Sequence, residues 1–373
     1  MEENDDSAGG EADGLQAIKT VASGGALKFG GRILTLALGL VVQILMARLL
    51  VPEAYGSVTL AIAVLSISLR FGTLGLDSGV SHLYPVHEDE PSKARGIVRA
   101  LFQLSLVSGV AIALLLFISA PVLANRAFNE PRLVSLLRII AIGIPFTVAG
   151  ENALALARAA RDARPRVFIY DILRPILRLG FIAGLIYAGF EAVGAIAGHM
   201  AAMILAGVVA VGVVVYLLPS WEVPAEPMGR ELLTYSVPLL FASGIGYLMS
   251  EIDTFMIGYF LASEKVGIYN ISYQLGTFAI FFLTAGGFIL PPMLARLETE
   301  GQTREMDELY RTITKWIAFA SVPVVVVLLV YPSEFIGLLF GAQYLEGANA
   351  LRVLVLGTFA SIAMGSAGGS LTS

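Results

Sequence analysis

Charged side chains stand at helical spacing inside stretches that are otherwise apolar. Ser66, Arg70, Thr73 and Asp77 follow i, i+4, i+7, i+11, which on a helix is a single face. An arginine on such a stripe presents paired N–H donors that match a phosphate. The plainer use of the same residues is an Arg70–carboxylate pair that only holds helices together. Asp171, Arg174 and Arg178 follow i, i+3, i+7. The two arginines would line a cationic entrance for an anionic headgroup, or snorkel to lipid phosphates. Glu151 stands mid-stretch beside Asn152, and Glu251 and Asp253 stand in a later stretch. A carboxylate at such depth costs about 2.5–3.5 kcal/mol. It therefore either carries a coupling ion, a proton or sodium, or pairs with an arginine. Glu251 and Asp253, two residues apart, point about 200° away from each other. One of them lines a cavity and the other does not, unless the helix bends near Gly244 and Gly246. Gly244, Tyr247, Glu251 and Thr254 share one face.

Other polar groups carry less. His199 is alone in its stretch and reads as an interior histidine rather than a proton relay. His82, His87, Glu88, Asp89 and Glu90 have the residue types of a metal site without the ligand spacing, so a solvated loop is expected. Arg158, Arg161, Arg164 and Arg166 read as a loop that anchors topology. Phosphate-binding glycine loops, dinucleotide fingerprints and nucleophile elbows are absent from the sequence, so it offers no enzyme chemistry and calls for no cofactor or metal. With no cysteine, disulfides and thiolate chemistry are excluded. The net charge of −5 comes from acids in loops, and nothing in it points to nucleic acid.

The elements that hold these groups follow from composition. Hydrophobic residues make up 57% of the 373 and charged ones 14%, against about 25% charged in a soluble domain. A bilayer-spanning helix takes roughly 20 apolar residues. Ten such stretches are predicted, near 31–50, 57–80, 98–120, 135–157, 167–188, 192–218, 236–260, 269–293, 312–331 and 348–369. They are too long and too uniform for barrel strands, so the fold class is an all-α integral membrane protein. Prolines at 145, 175, 238, 291, 292 and 323 kink these helices, passively or as hinges.

The chain also repeats itself. A shift of 211 puts Leu50 on Leu261, Glu53 on Glu264, Gly56 on Gly267 and Pro121 on Pro332. Two-lobed membrane proteins with an internal repeat are typically transporters. The division expected is an acidic, disordered tail over 1–22, a first lobe of six helices over 23–219, a linker over 220–230 and a second lobe of about four helices over 231–373. Measured against the first lobe, the second stops two helices early, which suggests truncation. With the N-terminus inside, seventeen Lys and Arg face the cytoplasm, linker included, and six face outward, with Arg70 left inside a helix. This bias predicts a multi-pass protein with a cytoplasmic N-terminus and parallel repeats.

The runs GLVVQILMARLLVPEAYGSVTLAIAVLS (39–66) and LGLDSGVSHLYP (74–85) resemble the opening of polysaccharide-biosynthesis flippases of the Wzx type, in the multidrug/oligosaccharidyl-lipid/polysaccharide superfamily. SEIDTFMIGYFLASEKVGIYNISYQL (250–275) is similar to the start of that family's second lobe. The resemblance covers about 25–360. It implies two helical lobes in a V-shaped bundle, with a cationic cavity for which Arg70, Arg174 and Arg178 are the candidates here. It implies a flippase in the cell membrane, moving a lipid-linked oligosaccharide on a polyprenyl or dolichyl (pyro)phosphate outward by alternating access, for surface polysaccharide or glycoprotein biosynthesis. Its partners would be that lipid-linked glycan, membrane lipids and glycan-assembly proteins. Two alternatives stay open: a cation-coupled multidrug antiporter of the same fold, and a non-transporting fragment.

Overall fold

In the computed structural model, residues 34–218, 222–277 and 303–368 are described. The expected tail over 1–22, most of the expected span over 269–293, and Pro219, Trp221, Pro291, Pro292 and Arg296 lie outside them. The described residues are helical throughout, joined by short turns. They form α1 (Leu34–Leu49), α2 (Pro52–Gly72), α3 (Leu76–Val86), α4 (Pro91–Val122), α5 (Leu133–Ala159), α6 (Arg174–Leu185), α7 (Glu191–Leu217) and α8 (Gly229–Phe260). After these come α9 over 263–277, α10 (Thr303–Val330), α11 (Pro332–Leu339) and α12 (Ala348–Gly368). A lipid solvent explains this uniformity, because it leaves every backbone N–H and C=O to be satisfied within its own helix. Five segments are long and apolar enough to cross a bilayer, Pro52–Val86, Pro91–Ala127, Leu133–Ala159, Arg166–Leu217 and Gly229–Phe260. A sixth arises if α10 and α11, bent by 86° where they meet, are counted as one span. The 52-residue segment Arg166–Leu217 holds two of the expected stretches. It breaks at Gly189 (φ 90°), and α6 packs along α7. Proline opens α2, α4 and α11, where its missing N–H costs no hydrogen bond.

The chain forms two compact units. One takes in α1 and Leu60–Phe255; the other takes in Leu50–Thr59 and the described residues from Met256 onward. In the first, α5 lies at the centre, against α3, α4 and α7. Small residues make that contact close. A Cβ placed on Gly150 would lie 2.5 Å from the Gly207 Cα, the kind of approach that drives helix association in lipid. Asn152, fully buried, donates to Ser105 of α4 at 2.8 Å. This seating fixes which way Glu151, the residue before it, points.

In the second unit the starts of α2 and α9 meet. A Cβ on Gly56 would fall within 2 Å of the Ser263 carbonyl oxygen and 3.0 Å from the Gly267 nitrogen. Tyr55, fully buried, donates to Asn270 at 2.8 Å and stands edge-on to Tyr344 at 5.9 Å.

Two sequence expectations change here. The stripe from Ser66 to Asp77 does not run along one unbroken helix. The chain leaves α2 at Gly72 and turns through Leu74 (φ 53°) and Gly75 (φ 69°) before α3 begins. Gly75 has no room for a side chain, since a Cβ would lie 2.4 Å from the Ser236 carbonyl oxygen of α8. Nor does α8 break at Gly244 or Gly246; it is helical from Gly229 to Phe260.

Candidate functional site

Two polar clusters lie inside the apolar helices of the first unit. In one, Arg70 Nη1 donates to Asp77 Oδ2 at 3.2 Å, with the two side chains 13% and 26% exposed. Arg70 Nη2 donates to Ser243, and the guanidinium lies 4.8 Å above the Tyr247 ring. The turn at 73–75 is what lets Asp77 fold back onto Arg70; Thr73 stays in the turn and donates to the Arg70 carbonyl at 3.0 Å. One turn away, the Glu251 carboxylate faces the Ser66 hydroxyl. Ser66 and Arg70 of α2 thus meet Ser243, Tyr247 and Glu251 of α8, which recur every four residues. Arg70 Nε and Asp77 Oδ1 are buried with no hydrogen-bond partner among the described residues.

The second cluster joins α5 to the start of the next span. Glu151 Oε2 accepts from Arg166 Nη1 at 3.0 Å, and Glu151 Oε1 lies 3.8 Å from Arg174 Nη1. Both guanidiniums stack over the ring of Tyr170, at 5.1 Å and 4.4 Å from its centroid. Residues Arg166–Leu173 form a π-helix, a widened turn that recurs at functional sites. Arg158 lies within electrostatic reach of Arg166, Glu151 and Asp77, so the two clusters form one region. It holds Arg70, Arg158, Arg166 and Arg174 against Asp77 and Glu151. Deeper in the same unit, Arg174 and Arg178 act electrostatically on the buried His199.

The sequence-predicted residues therefore divide. Arg70 and Asp77 pair with each other, and Arg174 pairs with Glu151. The regular i, i+3, i+7 face over Asp171, Arg174 and Arg178 is interrupted by the π-helix, and the Asp171 carbonyl accepts from Thr35 at 2.8 Å. Asp253 accepts from the Thr254 backbone N–H at 2.8 Å and lies within electrostatic reach of Glu251. Arg166, read from the sequence as part of a topology-anchoring loop, opens the π-helix and pairs with Glu151. Tyr170, Tyr247 and Ser243 were missed as partners; the Arg-x3-Tyr-x3-Arg spacing of 166, 170 and 174 was the available signal. The loop after α3 is also more structured than a solvated loop. His87 lies 2.9 Å from Glu90 and 3.8 Å from Glu231, His82 stacks on Tyr235 at 4.3 Å, and the linker docks through Ser92 and Glu226 at 2.7 Å. Among the described residues no three His, Asp or Glu converge as metal ligands.

A family model described as polysaccharide biosynthesis protein matches residues 45–349, most of the chain and every residue of both clusters.

The chain belongs to the polysaccharide biosynthesis protein family.

Among its curated relatives is the teichuronic acid biosynthesis protein TuaB of Bacillus subtilis, 23% identical over 296 residues. That match covers 77% of this chain and 58% of TuaB. The probable low-salt glycan biosynthesis flippase Agl15 of Haloferax volcanii is 22% identical over 135 residues, 36% of this chain and 29% of Agl15. The chain thus spans little more than half of TuaB and under a third of Agl15. Of solved structures, the inward-facing conformation of a multidrug resistance MATE family transporter of the MOP superfamily superposes with a TM-score of 0.68 at 18% identity. It covers 92% of this chain and 84% of the transporter. At that identity the likeness is one of fold, and the fold of this family member is that of the superfamily.

Proposed function

We propose that the protein is a membrane flippase that carries a lipid-linked oligosaccharide, on a polyprenyl or dolichyl (pyro)phosphate, across the cell membrane by alternating access. The glycan serves surface polysaccharide or glycoprotein synthesis, and the N-terminus is cytoplasmic. Arg70, Arg174 and Arg178 compensate the phosphate, and Asp77 holds Arg70 ready for it. The observation that carries this reading is the surplus of guanidinium over carboxylate among apolar helices. Buried charge of one sign is costly unless countered, and a phosphate headgroup counters it while its lipid tail stays in the bilayer. The names of the family and of TuaB and Agl15 agree with a glycan cargo.

The test is flipping of a fluorescent prenyl-diphosphate-linked sugar in proteoliposomes. Arg70→Ala is combined with Asp77→Asn so that no carboxylate is left unpaired. A charge-assisted hydrogen bond is worth about 1.5–3 kcal/mol, so the double variant is expected to slow flipping about tenfold or more. A rate equal to the wild type would sink the role of Arg70. Glu251 facing Ser66 favours a second reading, a cation-coupled drug antiporter using Glu251, Asp253 or Glu151. Drug efflux by cells carrying the gene, with normal surface glycans after its deletion, would decide for it.

A further inference from the structure

We infer that Arg166 and Arg174, set side by side by Glu151 and Tyr170, are the primary phosphate clamp of the first unit. The inference rests on the flippase reading only for its choice of a prenyl diphosphate as ligand; the anion site stands on its own geometry.

Four observations lead to it. First, guanidinium outnumbers carboxylate: Glu151 contacts both Arg166 and Arg174, and Arg158 nearby is shared between Glu151 and Asp77. Glu151 neutralises only one of the two arginines it contacts, so a positive charge is left over between two segments apolar enough to span a membrane. Second, the pair is built rather than loose. Tyr170 is 1% exposed and attracts both guanidiniums, at 5.1 Å and 4.4 Å from its centroid, through its ring face, an interaction that uses none of their N–H donors. Third, the pair is reachable. The Arg166 and Arg174 side chains are 34% and 30% exposed, whereas Arg70 is more deeply buried and divides its donors between Asp77 and Ser243. Fourth, the depth suits a headgroup. Glu151 precedes the end of α5 at Ala159 by eight residues, about 12 Å of helix.

In this arrangement Glu151 is a positioning residue and also a competitor. It holds both arginines, and its charge opposes the incoming phosphate. A merely structural Glu151 and a clamp therefore predict opposite results for Glu151→Gln. The amide still accepts a hydrogen bond from Arg166, but the opposing charge is gone.

The experiment measures binding of farnesyl diphosphate and farnesyl monophosphate to the full chain in phosphatidylcholine nanodiscs. The wild type is expected to bind the diphosphate more tightly than the monophosphate. Arg166→Gln with Arg174→Gln is expected to weaken the diphosphate about tenfold or more, the loss that follows from removing one strong charge-assisted contact. Should that variant fail to fold, Arg166→Lys and Arg174→Lys keep the charge, lack the planar fork, and are expected to weaken binding as well. Glu151→Gln is expected to tighten it, and Tyr170→Phe to preserve it where Tyr170→Leu does not. Wild-type binding that survives loss of both arginines but not of Arg70 would overturn the clamp and leave the flippase reading standing. No diphosphate binding by the wild type would count against both. Displacement of the diphosphate by phosphatidylglycerol at bilayer levels would assign the clamp to an ordinary membrane lipid and overturn its role in cargo binding.

Discussion

Arg70 shares its guanidinium among a carboxylate, a hydroxyl and an aromatic ring from two other helices, so its partners depend on it as much as it depends on them. Removing one member of a fully buried ion pair costs about 3–5 kcal/mol, because the other charge is left uncompensated. Asp77 is partly exposed, so Arg70→Ala and Asp77→Asn are each expected to cost less, about 2 kcal/mol. The double variant should cost less than their sum. Thermal unfolding of all four proteins in detergent measures the coupling, and strict additivity would mean the pair contributes nothing. At the end of α3, hydrogen bonds from Lys93 and His87 hold the Glu90 carboxyl below its usual range. A lowered value in the folded state means stability that is present above the ordinary glutamate range and is lost as pH falls through the lowered one. Protection of the backbone amides around His87–Ala94 against hydrogen exchange should therefore drop on acidification below about pH 4. Glu90→Gln should lack that step. Arg70, Asp77, Glu151 and Arg174 were legible because a charge within an apolar run needs a reason. Ser243 and Tyr247 were not, since their roles exist only once α8 lies against α2.

The break between α2 and α3 shows what an element-level pattern conceals. Hydropathy runs unbroken through Thr73–Gly75, so the sequence predicted one helix over 57–80. Gly75 adopts φ 69°, open to glycine at little cost, with α8 pressed against it. Its meaning comes from that later helix, 161 residues downstream at Ser236, and no local pattern encodes it. Gly75→Ala adds both an unfavourable backbone region and a Cβ 2.4 Å from a carbonyl oxygen. A loss of about 2 kcal/mol or more is expected. Gly229→Ala is the control, since its Cβ would meet only Ala100 at an ordinary 3.8 Å, and it should stay within about 0.5 kcal/mol of the wild type. Equal melting temperatures for the two variants would show that the break tolerates a side chain. The five spans that are long and apolar enough to cross a bilayer were legible for the converse reason: bilayer thickness and backbone satisfaction act on every helix alike. The π-helix at Arg166–Leu173 escaped because it follows Arg164-Pro165, a pair that reads as loop.

At the scale of the whole molecule the repeat acquires a geometric consequence. Gly56 and Gly267, matched by the shift of 211, pack against each other. A residue that touches its own repeat image lies near the axis relating the two copies. For parallel repeats that axis runs along the membrane normal, so matched residues share one side of the bilayer. The absence of cysteine makes the sidedness measurable without a background. Glu53 and Glu264 are matched by the same shift, and Asn129 closes the turn after α4; all three are exposed. Asp89, in the turn before α4, and Glu222, in the linker, are exposed as well. With the arginine-rich loops inside, single cysteines at Glu53, Asn129 and Glu264 are expected to react with a membrane-impermeant thiol reagent on intact cells. Cysteines at Asp89 and Glu222 should react only after permeabilisation. The reverse pattern would invert the protein in the membrane while keeping the repeats parallel. Reaction of Glu53→Cys and Glu264→Cys from opposite sides would exclude parallel repeats altogether. The shared axis would then fall, and with it the proposed rocking of two like-oriented copies.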